Sequence, residues 1–228
     1  MKKVITIDGP SGAGKSTVAK ELAKRLGFEY LDTGALYRAI ALYLRKKGHD
    51  ESITDDKLGS ELKEVEVSFE KARVFLNGED VSDAIRTPEI GHYSSVFSAR
   101  PVVREFLLGL QREFATTHNT VAEGRDMGTV VFPGADCKFF LDASTEERAR
   151  RRFLQLKAMG KKITEQDALN DVVERDRRDS SRDIAPLKKA DDAIYVDTTK
   201  LSLQETIDLL YHHITSKCGI RAQTGKDG

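Results

Sequence analysis

An α/β fold with a five-stranded parallel sheet flanked by helices is what this sequence predicts, and three observations carry the prediction. Five strand-like runs are separated mostly by helical patterns, the alternation of βαβ units. The first run is apolar and β-branched and stops at a Gly-rich turn, with a helical pattern directly after it. The chain of 228 residues, 39% hydrophobic and 32% charged, can bury a sizeable core, as one α/β domain with an insertion or as two very small domains.

The first strand is read from Val4 to Asp8. The turn after it carries Gly9, Gly14, Lys15 and Ser16 in the spacing G-x-x-x-x-G-K-[ST], a phosphate-binding loop. Across Gly9, Pro10, Ser11, Gly12, Ala13, Gly14, Lys15, Ser16 and Thr17, glycines let backbone N–H groups curl around a polyphosphate. Lys15 can reach the β and γ phosphates, the Ser16 hydroxyl can hold Mg²⁺, and the helix behind points its positive end at the same anion. The expected ligand is therefore an NTP and the expected fold that of the P-loop NTPases. Val18, Leu22 and Leu26 mark the helix, which Gly27 closes.

The second strand is expected over Phe28 to Leu31, followed by a helix over Ala35 to Lys47 with Leu36, Ile40 and Leu44 on one stripe and Gly48 as its cap. Between about Lys63 and Arg86 the period changes to two, through Val65, Val67 and Phe69, then Val74 and Leu76, with an Asn77-Gly78 turn before Glu79-Asp80-Val81. This is an antiparallel insertion, expected as a mobile or substrate-covering subdomain, with an inert surface elaboration as the other reading. Val103, Phe106, Leu107, Leu110 and Phe114 share a helical face. The remaining strands are read at Thr120 to Glu123, Cys137 to Leu141 and Ala193 to Val196, and Ser144 with Glu147 and Ser202 with Glu205 have capping-box spacing. Residues Arg221 to Gly228 are short, polar and expected to be disordered.

Lys+Arg and Asp+Glu both number 37, and this balance argues against a polyanion as main partner. Cys137 and Cys218 are too few for a disulfide framework; Cys137 lies in an apolar run and is expected as a buried thiol, in keeping with a reducing cytoplasm. Met1-Lys2-Lys3 leads straight into a strand, and no apolar run approaches the roughly 20 residues of a membrane helix, so neither export nor membrane anchoring is expected. The five histidines lack partners at metal-ligand spacing, and no structural metal is implied.

A P-loop alone does not choose between a switch, a motor and a kinase. Arginines at the ends of later strands point to an acceptor. Arg38 follows Asp32-Thr33-Gly34 beyond the second strand, and Arg125 and Asp126 follow Glu123-Gly124 beyond the third, at the sheet edge where open α/β sheets bind ligands. Guanidinium forks suit phosphate oxygens, and phosphoryl transfer needs positive groups around the phosphates of both reactants. From Glu146 to Arg182 the chain is arginine-rich: Arg148, Arg151 and Arg152 share a helical face, and Arg175, Arg177, Arg178 and Arg182 follow. A lid over the NTP, at about residues 150–175, is one reading; a salt-bridged solvent face is the other, since acidic residues are interleaved. That interleaving also speaks against a nucleic-acid stripe.

These residues assemble into a pattern that resembles the bacterial cytidylate kinases, of the nucleoside monophosphate kinase group. The resemblance rests on ITIDGPSGAGKST, LDTGALYRA, GEDVSDAIRT, VREFLLGLQREF, EGRDMGTVVFP, FFLDASTEERARRR, ERDRRDSSRDIAPL and ADDAIYVDTT, in that order, from residue 4 to about residue 200. It implies a single kinase domain over 1–228, with the insertion at about 63–86 enlarging the acceptor region and a lid in the arginine-rich segment. It further implies that Arg38 and Arg125 hold a CMP phosphate with Thr33 nearby. Ser95, Arg104, Asp126 and Arg182 would surround the cytosine, and Arg175 with Asp179 would meet the ribose. Asp126 makes sense there, because a carboxylate accepts from the cytosine N4 amine and repels the uracil oxygen in its place. ATP with Mg²⁺ and CMP or dCMP are the implied ligands, with Lys15, Arg125 and Arg152 as the catalytic group. No general base is expected, because a nucleoside monophosphate already presents an anionic oxygen at neutral pH, and a monomer in the cytoplasm is the default expectation. One departure is Glu123, where many relatives are expected to carry Asp; its reach is longer. A hydroxyl-acceptor kinase such as a shikimate kinase shares the fold but calls for a poised carboxylate base, and a GTPase-like switch calls for guanine-reading motifs that this chain lacks in context.

Overall fold

Ile5 and Ile7 point to one side of the first strand and Thr6 and Asp8 to the other, and all four are buried. That two-sided burial is why β1 (Val4–Asp8) sits inside a parallel sheet. The computed structural model describes residues 2–70 and 73–221. With β2 (Glu29–Asp32), β6 (Thr120–Gly124), β7 (Cys137–Asp142) and β8 (Ile194–Asp197), β1 forms a five-stranded sheet of order β2-β6-β1-β7-β8. β1 pairs in parallel with β6, Asp8 opposite Gly124, and with β7, Asp8 opposite Phe140. The carboxyl ends of β1 and β6 thus lie level, and the adjacent β7 runs two residues further.

The chain divides into two units, residues 1–30 with 118–228 and residues 31–117, so the boundary falls within β2. In the first unit, α1 (Lys15–Leu26) and α8 (Leu203–Ser216) share a core with the sheet, through Val18, Leu22, Leu26, Leu210 and Ile214 against Ile5, Ile7, Phe139 and Leu141. Gly27 is left-handed and ends α1, and the Phe28 N–H turns back to the Ala23 carbonyl. Phe28 therefore belongs to the helix end, and β2 starts one residue later than its sequence predicts. Likewise the Ala193 N–H closes a turn on Ala190, which delays β8 to Ile194.

Helices α6 (Thr145–Ala158) and α7 (Glu165–Ser180) form the arginine-rich hairpin. Ser202 and Glu205 make the full reciprocal capping box, but Ser144 and Glu147 make half of one. The Glu147 carboxylate turns instead to Arg150 and Arg151, and the Ser144 N–H finds the Thr199 hydroxyl. Thr164 and Asp167 form a further capping box that went unread in the sequence.

The second unit has its own core, built on α2 (Thr33–Lys46) and α5 (Pro101–Thr117) with α3 (Asp55–Leu62), α4 (Pro88–Phe97) and the antiparallel sheet β3 (Val67–Glu70), β4 (Arg73–Leu76) and β5 (Glu79–Asp80). The Asp32 carboxylate accepts the Ala35 N–H and so starts α2 at Thr33, two residues before the apolar stripe announces it. The expected period-two insertion is this sheet, with Asn77 and Gly78 both at positive φ in the turn between β4 and β5. The expectation for residues beyond Arg221 lies outside the described residues. No described helix is long and apolar enough to cross a membrane.

The cysteine expectation is corrected: Cys137 is not a free thiol but is bonded to Cys218, 81 residues away, with Cα atoms 5.9 Å apart. Helix α8 returns along the sheet, and its end turns on the His213 carbonyl, bringing Cys218 to the first residue of β7. Closing a loop of this size restricts the unfolded chain by about 4 kcal/mol in the chain-entropy view. Reduction of the bond, or Cys218→Ser, is expected to lower the melting temperature by roughly 10 °C; identical melting curves with and without reductant would show that the bond contributes nothing to stability.

Candidate functional site

The phosphate-binding loop begins where β1 ends. Gly9 has φ +148°, and a side chain there would drive its first carbon to 1.9 Å from the Leu141 carbonyl oxygen of β7, so only glycine fits. Gly14 precedes α1 without any side-chain cap and no acid lies in the first turn, which leaves the helix N–H groups and dipole turned towards an anion. Lys15 is buried and its Nζ donates to the Pro10 carbonyl at 2.7 Å. Burial, reinforced by Arg125 and Arg175 and opposed by Glu123 and Asp179, pushes its ammonium down to about 7. The Ser16 hydroxyl donates to Glu123 Oε1 at 2.7 Å, and Tyr30 Oη reaches the same oxygen at 3.3 Å. The longer side chain at position 123 thus has a local task, contact with the loop serine, which its sequence position alone does not disclose.

The hairpin α6–α7 braces the loop from the other side. Buried Arg148 donates from Nη1 to the Ser11 carbonyl at 3.1 Å and also pairs with Asp176, whose Oδ1 accepts the Ser11 N–H at 3.1 Å. Arg148 is therefore a structural clamp on the loop. Arg151 bonds Glu147 and both the hydroxyl and carbonyl of Thr198, and its Nη1 would lie 3.8 Å from a side chain at Gly14. Arg152, the arginine expected in transfer, pairs with Asp171 of α7 at 2.8 Å and with Gln155.

Beyond β6 the chain enters Arg125 and Asp126 and then a single wide helical turn, Met127–Val131, with the Val131 N–H bonded to the Asp126 carbonyl. Arg125 Nε donates to Asp179 Oδ2 at 2.7 Å, and Arg182 pairs with the other oxygen of the same carboxylate. Burial alone would raise the Asp179 carboxyl, but the charges of Arg125, Arg182 and Arg175 outweigh it and hold it below the usual range. Within this unit the structure thus gathers Arg125, Asp179 and Arg182, with Arg175 acting electrostatically on both Asp179 and Lys15. Asp126 is buried. Asp8, unmentioned among the expected residues, accepts the N–H groups of Met127 and Gly128 at 2.8 and 2.7 Å.

In the second unit, Thr33 opens α2 and is buried. Asp32, which caps that helix, also accepts from Arg86 Nη2 at 3.0 Å, tying the one-turn helix Ala84–Arg86 to the start of α2. The absence of a side chain at Gly34 leaves room for Arg38, whose Nη1 would be 3.3 Å from one. Arg104 donates to the Ser98 carbonyl at 3.1 Å and lies 5.8 Å from the Tyr37 ring centre. The Ser95 hydroxyl is buried without a hydrogen-bond partner, a costly state for a polar atom unless a ligand completes it. Arg86 lies in the GEDVSDAIRT stretch, but nothing in its spacing announces Asp32 as partner.

A strand, loop and helix that hold an uncapped anion site, backed by a buried lysine and an arginine cluster, describe a phosphoryl-handling protein, and comparison with known proteins agrees. The family model described as cytidylate kinase matches residues 5–216. A protein of Thermodesulfovibrio yellowstonii named cytidylate kinase is 58% identical over 214 residues, covering 92% of this chain and 96% of its own. A cytidylate kinase of Geobacter sulfurreducens is 50% identical over 209 residues, 90% of this chain and 89% of its own. Among solved structures, an uncharacterised protein from Eubacterium ventriosum shares the fold with a TM-score of 0.54 at 15% identity, over 95% of this chain and all of its own. With the match running from within β1 to the last residue of α8, the chain belongs to the cytidylate kinase family.

Proposed function

We propose that this chain transfers the γ-phosphoryl group of ATP to CMP or dCMP, giving ADP and CDP or dCDP. The observation that carries the reading is the buried P-loop lysine bonded to a neutral carbonyl: burial first, then Arg125 and Arg175, push Lys15 down against the pull of Glu123 and Asp179. A phosphate bound at the loop supplies the counter-charge that such a lysine needs.

The N–H groups at the start of α1 and the loop would take the β and γ phosphates, with Lys15 leaving the Pro10 carbonyl to bridge them. Magnesium takes oxygen ligands and keeps several waters, and the Ser16 hydroxyl with Glu123 supplies oxygens 2.7 Å apart at the loop, a donor set that fits it. When bound, it neutralises charge on the β and γ oxygens. Ser11 is held meanwhile by Arg148 and Asp176, which fixes the loop before any ligand arrives.

An oxygen of the CMP phosphate forms the new bond to the γ phosphorus while the bond from that phosphorus to the β–γ bridging oxygen breaks. The attacking oxygen is already anionic at neutral pH, so no base is needed and catalysis comes from position and charge. Arg38 and Thr33 of the second unit and Arg125 of the first are assigned to the acceptor phosphate. Ser95 and Arg104 of the second unit, and Asp126 and Arg182 of the first, are assigned to cytosine, and Arg175 and Asp179 to the ribose. The unfilled Ser95 hydroxyl supports a ligand there. Arg152 is assigned to the transferring phosphate, a role that requires it to exchange Asp171 for substrate when the α6–α7 hairpin closes as a lid.

ADP release measured with ATP and a panel of CMP, dCMP, UMP, AMP and GMP is expected to favour CMP and dCMP; rates with UMP equal to those with CMP would overturn the specificity, and no stimulation by any monophosphate would overturn the kinase. Asp126→Ala is expected to raise KM for CMP by about 10- to 100-fold, the worth of a charged hydrogen bond, with KM for ATP little changed. An equal loss for both substrates would assign Asp126 to structure. Lys15, pushed down to about 7 in the free protein, is mostly neutral at pH 8 and must regain its proton beside a polyphosphate. Calorimetry of ATP binding at pH 8 in buffers of different ionisation enthalpy should therefore show uptake of about one proton, shrinking towards pH 6; no uptake at pH 8 would mean that Lys15 is already charged.

A further inference from the structure

Asp8 ends β1 one residue before the phosphate-binding loop, and its side chain is not aimed at that loop. Both carboxylate oxygens face the turn after β6, Oδ1 accepting the Met127 N–H at 2.8 Å and Oδ2 the Gly128 N–H at 2.7 Å. Those N–H groups open a helical turn and have no partner within it, so the carboxylate caps the turn from a strand 119 residues away. The fit is close: a side chain on Gly128 would lie 3.1 Å from Thr6 Oγ1, 3.2 Å from Lys138 Cδ and 3.3 Å from Asp8 Oδ2. Immediately before the capped turn stand Arg125 and Asp126, and the Asp126 carbonyl accepts the Val130 and Val131 N–H groups that close it.

We propose, resting on the reading of the site as a CMP kinase, that Asp8 is a positioning residue for the acceptor. Through its two bonds to the Met127–Val131 turn it fixes Arg125 and Asp126 at the level of the phosphate-binding loop.

The alternative, a carboxylate that merely fills a gap in the core, fits the electrostatics less well. Burial pushes the Asp8 carboxyl up to about 6, Asp126 adds to the rise, and the two N–H bonds and Lys15 only partly offset it. The charged groups that act on it are Asp126 from the turn and Lys15 from α1. A carboxylate that costs free energy to ionise and still grips two amides serves geometry more than stability.

Asp8→Asn keeps the shape but replaces one accepting oxygen with an NH₂ that cannot accept an N–H. It is expected to raise KM for CMP at least tenfold while KM for ATP stays within about twofold, because the loop backbone itself is untouched. The phosphate of CMP also titrates near pH 6, so the second readout uses no substrate. In the wild-type protein the Met127 and Gly128 amide resonances should move with a midpoint near 6, and in Asp8→Asn they should not. Equal rises in both KM values, or no change in either, would overturn the proposal. Should Asp8→Asn fail to fold, Gly128→Ala, whose added carbon crowds the same carboxylate, is expected to give the same split between the two KM values, and an equal effect on both would overturn the proposal. If wild type rejects CMP, the kinase reading fails separately, and the KM comparison is made with whichever monophosphate reacts.

Discussion

Parallel pairing of β1 with both β6 and β7 sets Asp8, Gly124 and Phe140 on one level, and the chemistry of the first unit hangs on that level. From it leave three segments: the loop at Gly9, the Arg125–Asp126 turn, and the path through Leu141 into α6. Each leans on another. The loop needs the bare backbone at Gly9 because the Leu141 carbonyl occupies the space of a side chain. The turn needs Asp8 for its first N–H groups, and α6 returns Arg148 to the loop at Ser11. A slip of one residue in either pairing would reverse the faces of β1 and dissolve all three contacts at once.

Charge is arranged around this level as a frame of paired ions. Asp176 and Asp179 are each shared between arginines or backbone donors, so that these buried or half-buried ions are paired before a ligand arrives. Lys15 is less well matched, because its close partner is a neutral carbonyl and burial, with Arg125 and Arg175, outweighs the pull of Glu123 and Asp179. Keeping a charge on a lysine buried in this way is expensive in an empty protein. It is what makes a polyanion welcome there, since the binding groups are already oriented and desolvated when the phosphate comes.

Much of the fold was legible because buried parallel strands read as apolar runs and turns have local signatures. The strands of the main sheet fall within one residue of their expected starts, and Asn77-Gly78 marked its hairpin. Helices α3 and α4 were not read: α3 buries only Leu58, Glu61 and Leu62, too few positions to set a period, and α4 is short and carries Gly91 and two serines. For the site, the loop was legible because all its residues are contiguous. Its supports were not, since Ser16 meets Glu123, Ser11 meets Asp176 and Asp8 meets Met127 across 107, 165 and 119 residues, distances that no local pattern encodes. The same holds for Arg148, which reads in sequence as one arginine of a face and proves to be a clamp.

The bond between Cys137 and Cys218 has a topological meaning besides its energetic one. Both helices of the arginine-rich hairpin, and strand β8 after them, lie inside the covalent ring that it closes. A protease that nicks the exposed connection between α6 and α7, around Lys161, would cut the polypeptide without releasing either fragment. The two pieces would migrate as one molecule until a thiol separated them, so the protein can be opened at its proposed lid and remain a single covalent body.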